Sequence, residues 1–121
     1  MLQLFDSYTS LFKAWRVVRY EQEGDTHMLQ VVARLQDNSR LDLRDYFFAD
    51  GRRKYAYQWT NTDGTLRQRW DNAPHWPSIA TAPHHTHLPN QNTPEPSVIT
   101  NIEDLLRFIQ MWFDEQYNEG N

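Results

Sequence analysis

The chain has 121 residues, 14% of them aromatic, and no cysteine. This length suits a single domain, which we expect to span residues 1–121 around one core. The missing cysteines exclude a disulfide framework and a thiolate metal site. The first residues, MLQLFDSYTS, lack the basic start and long apolar run of a signal peptide, and no stretch is long enough to span a membrane. The sequence therefore predicts a soluble, cytoplasmic protein with no membrane contact.

The net charge of −4 argues against nucleic acid as a partner, but the charges are distributed unevenly. Residues 13–69 carry eleven basic and eight acidic side chains, whereas the rest of the chain carries one basic and eight acidic. Ten of the twelve basic residues are arginine, which suits bidentate contact with phosphate. An ordinary surface with an acidic tail explains the same numbers.

In chain order, residues 2–12 have apolar side chains at helical spacing and predict a short N-terminal helix. Five segments then alternate in polarity or are rich in β-branched and aromatic residues, and turn signals separate them. These predicted strands are 13–21, 28–35, 40–47, 54–60 and 65–71. Alternation along the last strand predicts Leu66 and Trp70 on one face, with Arg67, Arg69 and Asp71 on the other.

Residues 72–97 contain all six prolines and predict a long loop. Order returns at TNIE, residues 100–103, which has the form of a capping box. The apolar stripe that follows predicts a helix over 100–117. The fold class is therefore α+β: an antiparallel meander of about five strands, an N-terminal helix, and a C-terminal helix packed on the sheet.

The predicted loop also holds four of the five histidines, in the stretch RWDNAPHWPSIATAPHHTH. Imidazole exchanges protons near neutral pH, so His75, His84, His85 and His87 are candidate catalytic residues. In an extended segment His85 and His87 share a face and His84 lies opposite. A metal site of His85, His87 and Asp71 is an alternative, and a polar loop with structural histidines is another.

Candidate substrate-binding residues lie on the two strands before this loop. Arg67, Arg69 and Lys54 would bind phosphate, with Asp71 beside them. Tyr55 and Tyr57 would contact substrate through their hydroxyls or stack on bases. The alternatives are a surface Arg69–Asp71 pair and core packing of the aromatic rings. The sequence has no Gly-rich phosphate loop and no Gly-x-Ser-x-Gly, which disfavours P-loop and common serine hydrolase chemistry.

Three short stretches resemble the TumE family, the toxin components of bacterial and archaeal toxin–antitoxin pairs. They are YAY at 55–57, RWDNAPH at 69–75 and PHHTH at 83–87, and LQDNSRL at 35–41 is also similar. The family usually has His where this chain has Trp76 and often Phe where it has Ala82. Asp45 matches an acidic residue that tends to follow the third strand. The resemblance implies a toxin with a cognate antitoxin protein as partner.

By analogy with other small toxins, we expect a ribonuclease that inhibits growth by RNA cleavage, with RNA as substrate. The loop histidines would act as base and acid and the arginines would bind phosphate, so the reaction is predicted to need neither metal nor cofactor. One rival is a non-enzymatic module that binds protein or nucleic acid as a stoichiometric inhibitor. Another is a His/Asp metal-dependent enzyme. A homodimer is also considered.

Overall fold

The computed structural model describes residues 3–119, which form one seven-stranded antiparallel sheet and one long helix. The strands are β1 Phe12–Glu23, β2 Thr26–Leu35, β3 Arg40–Phe47, β4 Arg53–Thr60, β5 Leu66–Asp71, β6 His85–His87 and β7 Glu95–Pro96. Their order in the sheet is their order in the chain. The predicted α+β meander is confirmed, with seven strands in place of about five.

The sheet has two unlike faces because side chains alternate along each strand. On β2, Leu29, Val31, Ala33 and Leu35 are buried, and each residue between them is more exposed. The face that carries these buried residues is covered by the C-terminal helix, and we call it the helix face. The opposite face is called the open face. The NTDG turn between β4 and β5 ends on Gly64, whose φ of +86° is costly for any residue with a Cβ.

The C-terminal helix, α2, spans Ile102–Glu119 and packs on the sheet as predicted. Its Trp112 meets Trp59 edge-to-face with ring centroids 5.3 Å apart, and its Phe108 meets Trp70 in the same way at 5.6 Å. Such pairs add to the stabilisation from burial alone. None of the helices in the described range 3–119 is apolar over a length that would cross a bilayer.

The cap of α2 lies one residue later than the sequence predicted. Asn101 Oδ1 accepts the Asp104 backbone N–H at 2.8 Å, and Asn101 Nδ2 donates to the Asp104 carboxylate at 3.1 Å. The N-cap is therefore Asn101, and Thr100 lies before it. Asparagine is at least as good an N-cap as threonine, so the helix begins at Ile102.

The N-terminal helix is much shorter than predicted. Within the described part, α1 covers Gln3–Asp6, and a single 3₁₀ turn covers Thr9–Leu11 before β1 begins. The apolar residues of this segment still face the core, where Phe5 stacks on Trp15 with centroids 4.8 Å apart. The sequence also predicted residue 2 as part of this helix, and residue 2 lies outside the described residues.

The predicted loop 72–97 contains the two strands that the sequence did not reveal. Strand β6 pairs with β5 through Arg69 opposite His87 and Asp71 opposite His85. Strand β7 then pairs with β6. Both strands are only two or three residues long, so they have too few residues to show a period-2 pattern and are detectable only through their partners.

A β-bulge in β5 overturns the predicted faces of that strand. Trp59 is opposite Gln68 and Thr60 is opposite Leu66, so Arg67 is an extra residue between them. Its guanidinium lies over the rings of Trp59 and Trp112, at 4.5 and 5.1 Å from their centroids. Arg67 is therefore on the helix face, and the prediction that it shares a face with Arg69 was wrong.

Candidate functional site

The open face of the sheet is organised in two rows that run across all the longer strands. Paired residues place Arg16, Val32, Asp42, Gln58, Arg69 and His87 in the first row. The second row is Arg19, Gln30, Arg44, Ala56, Asp71 and His85. Each row reaches a histidine on β6, and the second row continues to Pro96 on β7. Five interstrand steps of about 4.8 Å make each row about 24 Å long.

Arginine dominates this face. A shallow groove there is lined by Arg16, Arg40, Arg44 and Arg69. Arg40 is paired with Asp42 at 2.9 Å. The exposed side chains of Arg16 and Arg44 make no hydrogen bond or ion pair with other residues of the described chain. Their charges are therefore available to an anionic ligand, although the whole chain is net acidic.

At the β6 end of the rows, Asp71, His85 and His87 form a compact cluster, which we call the histidine cluster. The Nε2 atom of His85 lies 2.9 Å from Asp71 Oδ1, and that of His87 lies 3.6 Å from Asp71 Oδ2. The two imidazole rings meet edge-to-face with centroids 4.9 Å apart. The prediction that His85 and His87 share a face, with His84 opposite, is confirmed in this geometry.

Backbone atoms position His85 and Asp71 on the buried side of the histidine cluster, and the cluster is accessible to solvent at His87. His85 Nδ1 lies 2.8 Å from the Pro83 carbonyl oxygen, and Asp71 accepts the Ala73 backbone N–H at 2.9 Å. The side chain of His85 is 2% exposed, whereas that of His87 is 30% exposed. His87 is therefore the more accessible imidazole of this cluster. Burial lowers the pKa of His87 against the opposing effect of Asp71.

Arg69 joins the groove to the histidine cluster. Its Nε donates to Asp71 Oδ2 at 3.1 Å and its Nη1 donates to Gln58 Oε1 at 2.9 Å. The side chain is 38% exposed, so this pair with Asp71 is partly screened by solvent. Arg69 also lines a second groove with His87, on the side of residues 88–91. A phosphate bound at Arg69 would lie beside His87.

His84 belongs to a different cluster, on the helix face. Its Nδ1 lies 2.8 Å from the Tyr55 hydroxyl, and the Tyr55 ring stacks on that of Tyr57. Burial raises the pKa of Tyr55 to about 12, so the phenol stays protonated and can donate to His84. Burial, followed by the nearby charges of Arg53 and His85, lowers the pKa of His84.

A buried ion pair completes this second cluster. Arg53 binds the Asp45 carboxylate through two nitrogens, at 2.9 and 2.8 Å, and the Tyr57 hydroxyl also donates to Asp45. Burial and the Asp45 charge both raise the pKa of Tyr57. The Arg53 guanidinium lies 4.6 Å from the centroid of the Tyr55 ring. These contacts pack around Tyr55 and Tyr57, whose side chains are buried in the helix-face core.

The remaining predicted site residues are not brought together. His75 is exposed in the loop, and its side chain has no hydrogen bond or ion pair with any residue of 3–119. Lys54 is exposed on the open face, next to Tyr46 across the strands. Arg67 is held by Asp37 at 2.8 Å. Tyr55 and Tyr57 are 1% and 0% exposed, which argues against the predicted stacking of their rings on bases. The four loop histidines therefore do not form one catalytic group.

Sequence reasoning missed Arg16, Arg44 and Gln58 as members of the open face. Their signal is weak, since each is one polar residue in an alternating strand, and only the register of the strands aligns them with Arg69. The sequence also did not predict the Asp45–Arg53 pair, because only the register of β3 against β4 brings these two side chains together. The resemblance had singled out Asp45 alone.

The fold and these two clusters define a small α+β protein with a basic sheet surface that leads to an Asp–His–His group. The chain belongs to the TumE toxin family, whose model, described as Toxin TumE, matches residues 1–113. It is thus the toxin component of a toxin–antitoxin system, and its family implies a cognate antitoxin as partner. Neither the curated proteins nor the solved structures gave a significant match.

Proposed function

We propose that this toxin is a ribonuclease that binds RNA across the open face and cleaves it beside the histidine cluster. The observation that carries the proposal is the row that leads from Arg16 to Arg69 and His87. It sets a phosphate-binding guanidinium next to an accessible imidazole at the end of a basic groove. A row of about 24 Å accommodates several nucleotides.

The reaction class follows from the chemistry of RNA. Attack by the 2′-oxygen forms a bond to phosphorus while the bond from phosphorus to the 5′-oxygen breaks. The 2′-hydroxyl gives its proton to a base, and the departing oxygen gains one. The products are a 2′,3′-cyclic phosphate and a 5′-hydroxyl. Because DNA has no 2′-hydroxyl, this chemistry restricts the toxin to RNA.

The residues near the proposed cleavage point have different roles in the reaction. Arg69 stabilises the negative charge that develops on the phosphate. The histidine cluster acts on the ribose hydroxyl from the side of His87, its exposed member. Arg16 and Arg44 bind the phosphates further along the strand, where they position the RNA without reading its sequence.

The test measures RNA cleavage by the purified toxin. Wild type, His87→Asn and the control His27→Asn are each mixed with excess single-stranded RNA in a buffer that contains Mg²⁺, Mn²⁺ and Zn²⁺. His27 is the histidine outside the loop and lies on β2. We expect multiple turnovers by wild type and by the control, and a loss of about 100-fold or more in His87→Asn, because the histidine cluster loses its exposed member beside Arg69.

The second candidate function is a stoichiometric inhibitor that binds RNA and does not cleave it. The same basic face favours it, because phosphate contacts alone give substantial affinity. RNA that stays intact with wild type while it binds would eliminate the ribonuclease and leave this inhibitor. The predicted cytoplasmic location and homodimer remain predictions, and light scattering of the purified toxin measures the latter.

A further inference from the structure

Three ligand atoms converge in the histidine cluster in the way that a metal ion requires. One carboxylate oxygen of Asp71 and one ring nitrogen each of His85 and His87 all lie within 4.8 Å of one another. Ligands about 2.0–2.1 Å from a tetrahedral ion are about 3.4 Å apart. His85 Nε2 lies 2.9 Å from Oδ1 of Asp71 and His87 Nε2 lies 3.6 Å from Oδ2, so each imidazole nitrogen is close to one oxygen of the same carboxylate.

The two ring nitrogens of His85 have different partners, which are the Pro83 carbonyl for Nδ1 and the Asp71 carboxylate for Nε2. Nδ1 lies 2.8 Å from the Pro83 carbonyl oxygen, which can only accept, so Nδ1 carries a proton and donates it. In the neutral ring, Nε2 is then an acceptor, and it lies 2.9 Å from a carboxylate oxygen. Either a proton on Nε2 or a metal ion would join these two atoms.

A proton would join Nε2 of His85 to Asp71, but it would leave His87 outside the bond. A divalent ion would join all three side chains. The surroundings also match those of metal-binding histidines, which usually donate their second N–H to a carbonyl or carboxylate that fixes the ring. Asp71 is fixed as well, by the backbone N–H of Ala73 at 2.9 Å.

We infer that Asp71, His85 and His87 bind a divalent transition-metal ion and leave a coordination position toward Arg69 and the groove. Two imidazoles and one carboxylate suit Zn²⁺ best and also accept Mn²⁺ and Fe²⁺. Arg69 donates to the same carboxylate at 3.1 Å, and its charge limits the affinity for the ion. A metal with an open position polarises a phosphoryl oxygen.

The role of this ion in cleavage rests on the proposed ribonuclease, whereas the binding of the ion does not. With the ion in place, the reaction would be metal-dependent, in contrast to the metal-independent reaction that the sequence suggested. His84, on the helix face, would take no part in binding the ion.

The test is calorimetric titration of the chelator-treated, full-length toxin with ZnCl₂, and with MnCl₂ in a second series. We expect one ion per chain and a rise in the melting temperature, because the ion binds the folded state. His87→Asn should lower the affinity at least about tenfold, as should Asp71→Asn, and His27→Asn should leave it unchanged. Circular dichroism checks that each variant is folded.

His87 is the decisive position, because it is partly exposed and its replacement should leave the fold intact if Asp71→Asn does not. Failure of folded wild type to bind either ion would overturn the site, as would equal affinity in His87→Asn. Cleavage of RNA that persists in excess chelator would overturn the catalytic role of the ion and leave the ribonuclease. Metal binding without any cleavage of RNA would overturn the ribonuclease and leave the metal site.

Discussion

At the scale of single residues, the neighbouring histidines 84 and 85, at the start of β6, have separate surroundings. His84 contacts Tyr55 on the helix face, and His85 contacts Asp71 on the open face. A strand turns successive side chains to opposite sides, so adjacent residues serve different clusters. The clusters also differ in kind, since one is a buried network around Asp45 and the other reaches the surface at His87.

The Asp45–Arg53 pair makes a prediction about stability. Removal of Arg53 leaves the buried Asp45 carboxylate without its cation, so Arg53→Ala should lower the free energy of unfolding by about 3–5 kcal/mol. The matched control is Arg52→Ala, whose exposed pair with Asp50 should contribute less than about 1 kcal/mol. Urea denaturation of both variants measures the difference. Equal losses would mean that burial of Asp45 does not increase the contribution of its pair.

At the scale of elements, the start of α2 offers a direct comparison between two candidate caps. Asn101→Ala should cost about 1 kcal/mol, because the Asp104 N–H loses its acceptor. Thr100→Ala should cost much less, since Thr100 lies before the N-cap and does not accept the Asp104 N–H. Thermal unfolding of the two variants decides between them, and a larger loss in Thr100→Ala would restore the cap that the sequence predicted.

The long elements could be predicted because their signal is local. Alternation located β1 to β5 to within about two residues at either end, and helical spacing located α2. The resemblance to TumE toxins supplied the class. The short strands could not be predicted, because β6 and β7 exist only through pairing with β5 and with each other. The bulge that moves Arg67 likewise has no local signature.

The candidate site could be predicted only in part, because some of its contacts depend on the fold and not on local sequence. Composition pointed to the histidines and to Arg69, and the extended geometry separated His84 from His85 and His87. It could not show that His75 lies apart, since an irregular loop has no periodicity to fix its side chains. It also could not show that Arg16 and Arg44 lie in rows that reach the histidine cluster, since those rows depend on the register of five strand pairs.

At the scale of the whole molecule, charge is separated between the layers. The open face carries Arg16, Arg40, Arg44 and Arg69, whereas α2 has acidic residues in its first turn and one arginine, Arg107, paired with Glu103 and Asp104. A chain with a net charge of −4 can therefore still present a basic surface to an anionic ligand.

This separation predicts a salt dependence. RNA affinity should fall as salt rises, with a logarithmic slope of about −0.7 for each phosphate contact. Arg44→Ala should weaken binding and reduce that slope by about one contact, and the control Arg107→Ala on α2 should change neither. Fluorescence anisotropy at several salt concentrations measures both. A slope that Arg107→Ala alters and Arg44→Ala does not would place the RNA on the helix side.

Because His84 and His85 point to opposite faces, both the buried network and the surface group depend on the register of β6 against β5. A slip of one residue against β5 would exchange the two side chains, so that the buried network and the surface group would be lost together. A misfolded sheet would then be both unstable and inactive, and degradation would remove it before it could act. A single-residue deletion within the PHHTH stretch should thus be far more damaging than one elsewhere in the loop, among residues 76–80.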